Sequence, residues 1–174
     1  MEFEVWLTLV SPLLGTVPQE DGTTGFHYEN GVPVLPAYVV KGFLKEVIGT
    51  LAKVAGTVTF RKKRKAFKKM VARQVEILPD PVPISLSGPV GKLTRPLWVS
   101  DSKGGRMLIA VSEVVPVGSV LGFRVRTIGD ILEEEVREWF AYGEKYGLGR
   151  WRSGGYGRFK AEVKEVEDVG EREN

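Results

Sequence analysis

The densest concentration of chemistry-bearing residues lies towards the carboxyl end, in Gly147-Leu148-Gly149-Arg150-Trp151-Arg152-Ser153-Gly154-Gly155-Tyr156-Gly157-Arg158. Its glycines let the backbone take positive φ angles and come close to a ligand. Successive exposed amides form an anion-binding nest. Arg150, Arg152 and Arg158 are suited to pair with phosphates, and Trp151 and Tyr156 to stack on bases. Together they are what a single-strand-binding loop needs; the plainer alternative is a glycine-rich hairpin with incidental arginines. The stretch is not a Walker A loop, because no Gly-Lys-Ser/Thr follows. It is not a dinucleotide fingerprint either, because it falls between a helix and the last strand.

A second cationic group is Arg61, Lys62, Lys63, Arg64, Lys65, Lys68 and Lys69. The formal net charge of +3 over 174 residues understates this clustering, because residues 167–174 form an acidic tail. A basic body favours a polyanionic partner; a solvated charged face is the alternative. The chain has no cysteine and one histidine, which excludes disulfides and an ordinary zinc site. No dense acidic cluster suggests a magnesium site, so neither metal nor cofactor is expected. His27 is the one side chain with an ordinary pKa suited to proton transfer near neutrality. Lys41 is a candidate to steady developing negative charge. Asp21, beside Glu20, is a further acidic candidate, with a solvated turn as its simpler explanation.

These groups need elements to position them. Hydrophobic content of 43% with 27% charged residues is ordinary for a globular chain. No segment resembles a signal peptide or a membrane span, so the expected location is cytoplasmic. Alternation over residues 2–10 predicts a half-buried strand ended by Ser11-Pro12. A long Gly-, Thr- and Pro-rich loop follows. Val40, Phe43, Leu44, Val47, Ile48 and Leu51 give one apolar face to a helix over 37–55. Strands over 95–100 and 107–112 flank the turn-forming 101–106 and predict a hairpin. Pro79, Pro81 and Pro83 argue against a central strand there. A strand over 119–126 comes next. Asp130 with Glu133 predicts a capping box that opens a second helix to about Tyr146. A last strand spans 156–166. The order strand, helix, strands, strand, helix, strand is the βαββαβ pattern of an α+β, ferredoxin-like (RRM-like) fold. The expected organisation is one domain over 1–166, with 57–112 as a β-rich insertion, within which the basic stretch from Arg61 to Arg73 is a loop or a short helix with Phe67, Met70 and Val71 as its apolar side.

The glycine-rich stretch before the last strand resembles the carboxy-terminal loop of the RAMP superfamily of CRISPR-associated proteins. Val34-Leu35-Pro36-Ala37-Tyr38-Val39-Val40-Lys41-Gly42 is similar to that family's entry into its first helix. Thr8–Gly15 resembles the end of its first strand, and Ser112–Gly118 a turn before a later one. Tyr38 and Val39 stand where the family usually has serines, Ala37 where it has a glycine, and Gly154 where a basic residue is common. The resemblance implies RNA as ligand and, in many members, assembly with other CRISPR effector subunits along a guide RNA. It carries over Lys41, Gly42, Gly147, Gly149, Gly155 and Gly157, with Arg150, Arg152 and Arg158 as phosphate contacts. The expected function is binding of single-stranded or guide RNA without chemistry of its own. The alternatives are a metal-independent endoribonuclease with His27 as general acid or base, and a structural or inhibitory subunit mimic. Asp21 matches only loosely the catalytic aspartate of some backbone subunits. A DNA-binding module using the Arg61–Lys69 block is a further alternative.

Overall fold

The two-residue alternation of the first strand dictates where it sits. In β1 (Glu2–Leu9), Phe3, Val5, Leu7 and Leu9 are buried, whereas Glu2, Glu4, Trp6 and Thr8 face the other way. A computed structural model describes residues 1–167; all but the first residue of the acidic tail lies outside the described residues.

After β1 come five short strands, β2 (Leu13–Leu14), β3 (Val17–Pro18), β4 (Thr24–Gly25), β5 (His27–Glu29) and β6 (Val32–Leu35). Three helices follow, α1 (Ala37–Leu51), α2 (Val58–Arg61) and α3 (Phe67–Gln74). Then come β7 (Val75–Leu78), β8 (Val82–Ser85), β9 (Gly91–Asp101), β10 (Gly104–Val115), β11 (Val120–Thr127), α4 (Glu133–Tyr146) and β12 (Phe159–Val166).

The platform is antiparallel. β1 pairs with β12 on one side and β11 on the other, and β7 and β8 both lie along β11. Counting β7 and β8 as one interrupted strand, the spatial order is fourth, first, third, second. This is the ferredoxin-like arrangement. α1 and α4 cover one face. Phe3, Val5, Leu121, Phe123, Val125 and Phe159 meet Val40, Phe43, Val47, Val136, Trp139 and Phe140 in a continuous core. Gly143 allows close packing of the helices, because a Cβ there would strike the Phe43 ring. Phe43 packs edge-on against Phe159 at 5.7 Å between centroids.

Residues 57–112 are not one β-rich insertion. Their first third is helical, because Met70 and Val71 supply a buried side to α3 and Thr57 caps α2 by accepting from the Phe60 amide at 3.0 Å. β7 and β8 belong to the platform itself. Pro79 and Pro81 fall in the gap between them, where no ladder donor is needed. The added β structure is the β9–β10 hairpin, longer than the alternation alone indicated. Its base joins β2 and β4, and its far end is exposed.

The basic block is anchored to α4 by carboxylates. Glu138 accepts from the Val58 amide at 2.7 Å and from the Thr59 amide and hydroxyl at 3.0 and 2.6 Å. Trp139 Nε1 donates to the same Thr59 hydroxyl at 3.1 Å. Arg64 grips the fully buried Glu135 in bidentate fashion, at 3.0 and 2.8 Å, and also reaches Asp130 at 3.1 Å. The Arg64 guanidinium holds the Asp130 carboxyl below its usual range. Asp130 therefore does not cap α4. The cap acceptor is Glu135, three residues in, which takes the Leu132 amide at 3.0 Å.

Removing one partner of a buried bidentate pair strands the other charge, which costs about 3–5 kcal/mol. Arg64→Ala should lose about that much in urea unfolding. Lys65→Ala, an exposed neighbour, should lose less than about 0.5 kcal/mol.

Candidate nucleic-acid interface

The glycine-rich stretch forms a closed loop on one end of the platform. Gly147 ends α4 at φ 86°. The Leu148 amide then donates to the Gly157 carbonyl at 2.9 Å, and the Gly157 amide to the Pro12 carbonyl at 2.8 Å. The Arg158 amide donates to Ser11 Oγ at 2.9 Å. The loop's feet are thus bonded to each other and to the segment after β1. Gly157 is obligatory here: φ is +75°, and a Cβ would collide with the Leu148 carbonyl. Trp151 itself takes a left-handed φ of 51°.

The loop faces the amino-terminal half of α1 across a cleft of about 300 Å³. Thr16, Tyr38, Val39, Gly42, Glu46, Gly147, Gly149 and Arg152 line it. Tyr38, Gly42 and Glu46 recur every fourth residue and so share one stripe of α1. Tyr38 is 70% exposed. Lys41 lies on the adjacent stripe and donates to the Ala72 carbonyl of α3 at 3.4 Å. α1 therefore separates the glycine-rich loop from the basic block. That block borders its own cleft of about 310 Å³, lined by Lys62, Lys63, Lys65, Lys69 and Arg73.

The arginines of the loop divide into two kinds. Arg152 is half-buried and engaged: it pairs with Glu46 and lies over the Tyr146 ring at 4.8 Å. Tyr146 donates its hydroxyl to the same Glu46 carboxylate at 2.9 Å. The bond from Arg152 keeps the Glu46 carboxyl below its ordinary range, and partial burial is the first cause raising the Tyr146 phenol. Arg150 and Arg158 are exposed and have no ion-pair partner among the described residues. In the block, Arg64 is consumed by Glu135, and Lys62 reaches Asp130 at 3.5 Å. Arg61, Lys63, Lys65, Lys68 and Lys69 remain exposed without such partners among the described residues.

Trp151 and Tyr156 do not offer four open ring faces. They stack on each other at 5.0 Å and 16°. The Arg95 guanidinium, from β9, lies 4.2 Å from the Trp151 centroid. Trp151 is thus engaged by two neighbours, although it stays 38% exposed. Gly155 lies next to the Arg158 guanidinium.

His27 and Asp21 do not line the cleft. His27 is exposed in β5, opposite Val34. Asp21 sits at an exposed turn, where Oδ1 accepts from the Thr23 amide at 3.0 Å and hydroxyl at 2.6 Å. The Thr23 hydroxyl is the first cause of its lowered carboxyl pKa. Next to His27, Tyr28 donates to Glu113, and burial, followed by that carboxylate, pushes its phenol up to about 12. Among the described residues, no cluster of three or more His, Asp or Glu side chains is placed to hold a metal ion.

The open face of the platform is not a basic surface. Arg124 pairs with Glu2 at 3.3 Å and Glu4 at 3.5 Å, and Arg126 with Glu76 at 3.3 Å. These neutralise a groove of about 590 Å³ floored by Trp6, Leu78, Pro79 and Gly122. Glu46, Tyr146 and Arg95 were not foreseen from sequence. The four-residue spacing from Tyr38 through Gly42 to Glu46 marks the first; nothing local marks Arg95, whose partner ring is far along the chain.

No protein-family model matches the sequence, and no curated protein matches it. Among solved structures, it is similar to a chain of the Type III-B Cmr-beta complex bound to cognate target RNA, with TM-score 0.62 and 16% identity. That match covers 94% of this chain and 60% of the other, so the chain spans somewhat less than two thirds of that neighbour. A chain of a Type IV-B CRISPR complex matches with TM-score 0.54 and 15% identity, over 100% of this chain and 93% of that one. At such identities the likeness is one of fold: the ferredoxin-like platform with its helices and added β structure is an architecture found in chains of CRISPR complexes.

Proposed function

We propose that this chain is a RAMP-type, RNA-binding subunit of a CRISPR effector assembly, which grips single-stranded or guide RNA without cutting it. The observation that carries the reading is convergence. The segment entering α1 and the glycine-rich loop, far apart in sequence, carry the RAMP resemblance and line one cleft. The structural neighbours support it, since both come from CRISPR complexes and one of those is bound to target RNA.

The chemistry fits a phosphodiester backbone. Arg150 and Arg158 supply uncommitted charge beside glycines at positive φ, and exposed lysines lie on the other side of α1. An α-helix is about 10 Å across, so a strand of a few nucleotides crosses α1 from loop to block. The assembly part rests on the β9–β10 hairpin. Trp98, Met107 and Ile109 are 65%, 64% and 71% exposed there, apolar surface that an isolated chain leaves open at a cost in solubility. Among the described residues no helix is long and apolar enough to cross a membrane.

Each phosphate contact to a single strand contributes about 0.7 to the salt slope of log K. Arg150→Ala with Arg158→Ala should lower affinity for labelled oligouridine at least about tenfold and flatten that slope by about 1.4. Duplex DNA should compete poorly. Affinity that ignores both substitutions and salt would refute the reading, as would cleavage of the RNA that His27→Ala abolishes.

Arg152 behaves differently because Glu46 occupies it. Arg152→Ala alone should change affinity less than about twofold, whereas Glu46→Gln should raise it several-fold by freeing the guanidinium. Since the folded Glu46 carboxyl titrates below its unfolded value of 4.5, the pair is intact above that value and is lost as pH falls through the lower folded one. The affinity gain of Glu46→Gln should therefore be full at pH 7 in fluorescence-anisotropy titrations.

A further inference from the structure

We infer that Arg95, on the β9–β10 hairpin, is a phosphate-binding residue of the glycine-rich loop's site, so that the hairpin and loop hold one RNA strand between them. This rests on the RNA-binding reading above and adds to it a residue from a different element.

Four observations converge. Arg95 lies in β9, opposite Ala110 of β10, yet its guanidinium reaches across to the Trp151 ring at 4.2 Å. It makes no ion pair among the described residues, unlike Arg152 of the glycine-rich loop. Its Nε is buried and has no hydrogen-bond acceptor. An N–H of an ionised group shut away from water without an acceptor is costly, and native proteins rarely leave one so. Finally, the guanidinium carbon lies 4.2 Å from the centroid of the Trp151 ring, which itself stacks on Tyr156, so a cation–π contact holds Arg95 at the loop.

Arg95 has no carboxylate partner among the described residues, and a phosphodiester oxygen is the anion its guanidinium can take. It carries charge, accepts more than one N–H, and fits the fork of a guanidinium. Arg158, with its guanidinium beside Gly155, and Arg150, next to Trp151 in the chain, place two further cations on the same loop. Trp151 then acts as the platform for Arg95 and not as a base-stacking ring.

The test is a titration of labelled oligouridine at several salt concentrations with the full chain, Arg95→Ala and Arg95→Lys. Thermal melts of each variant confirm folding. Arg95→Ala should weaken binding about tenfold and flatten the slope of log K against log salt by about 0.7, the loss of one phosphate contact. Arg95→Lys should restore the slope while recovering only part of the affinity, because an ammonium keeps the charge but not the fork. If Arg95→Ala weakens binding with an unchanged slope, Arg95 only braces Trp151 and the inference is overturned. An unchanged affinity overturns it too. If the unaltered chain fails to bind oligouridine, the RNA-binding reading itself falls and takes this inference with it.

Discussion

The site depends on one backbone closure. The Leu148 amide bonded to the Gly157 carbonyl, and the Gly157 amide bonded to Pro12, tie the end of α4, the start of β12 and the end of β1 at a single point. That point is crowded enough that only glycine fits at 157. Because both feet are held by main-chain bonds, the ten residues between positions 147 and 158 need no core of their own to stay ordered. Apart from the buried Leu148, their side chains are left for other work. The same closure puts Gly147 and Gly149 opposite Tyr38 and Gly42, which makes the cleft.

Charge is sorted by α4 and α1. Both helices carry carboxylates towards the basic segments, but to different ends. Glu135 and Glu138 are committed to folding: one neutralises Arg64 out of solvent, and the other binds the first amides of α2. They make the block a fixed surface instead of a mobile basic arm, leaving Lys63, Lys65, Lys68 and Lys69 outside. Glu46 sits at the cleft, 48% exposed at the side chain, and its hold on Arg152 is open to competition by another anion. Residues of one type thus differ in role according to the carboxylate they meet, which formal charge does not reveal.

That difference explains what was legible in the sequence. Strand β1, helix α1 and helix α4 follow from periodicity because each has one buried face. The platform order followed from their succession. Glycine spacing marked the loop, since positive φ and close approach leave few other residues acceptable. Partners across the fold were not legible. Asp130 and Glu133 had the spacing of a cap, yet Arg64, drawn from another segment, claims Asp130 and Glu135 closes the helix. Pro79, Pro81 and Pro83 argued against a central strand, but they fall largely where β7 gives way to β8 and little pairing is lost. Trp151 reads as a free ring by its neighbours in sequence, whereas in space Tyr156 and Arg95 engage it.

The placement of the site has a physical logic of its own. An open sheet face suits stacking of bases when it carries exposed aromatics and unpaired cations. Here Arg124 and Arg126 are answered across the strands by Glu2, Glu4 and Glu76, in register with β11 and β7. A phosphate arriving there would have to displace carboxylates already at bonding distance. At the loop end, Arg95, Arg150 and Arg158 face no such competitor among the described residues. The hairpin that brings Arg95 also carries the exposed Trp98, Met107 and Ile109 further along its length. Any partner that covers those side chains would set the angle of β9, and with it the position of Arg95 over Trp151.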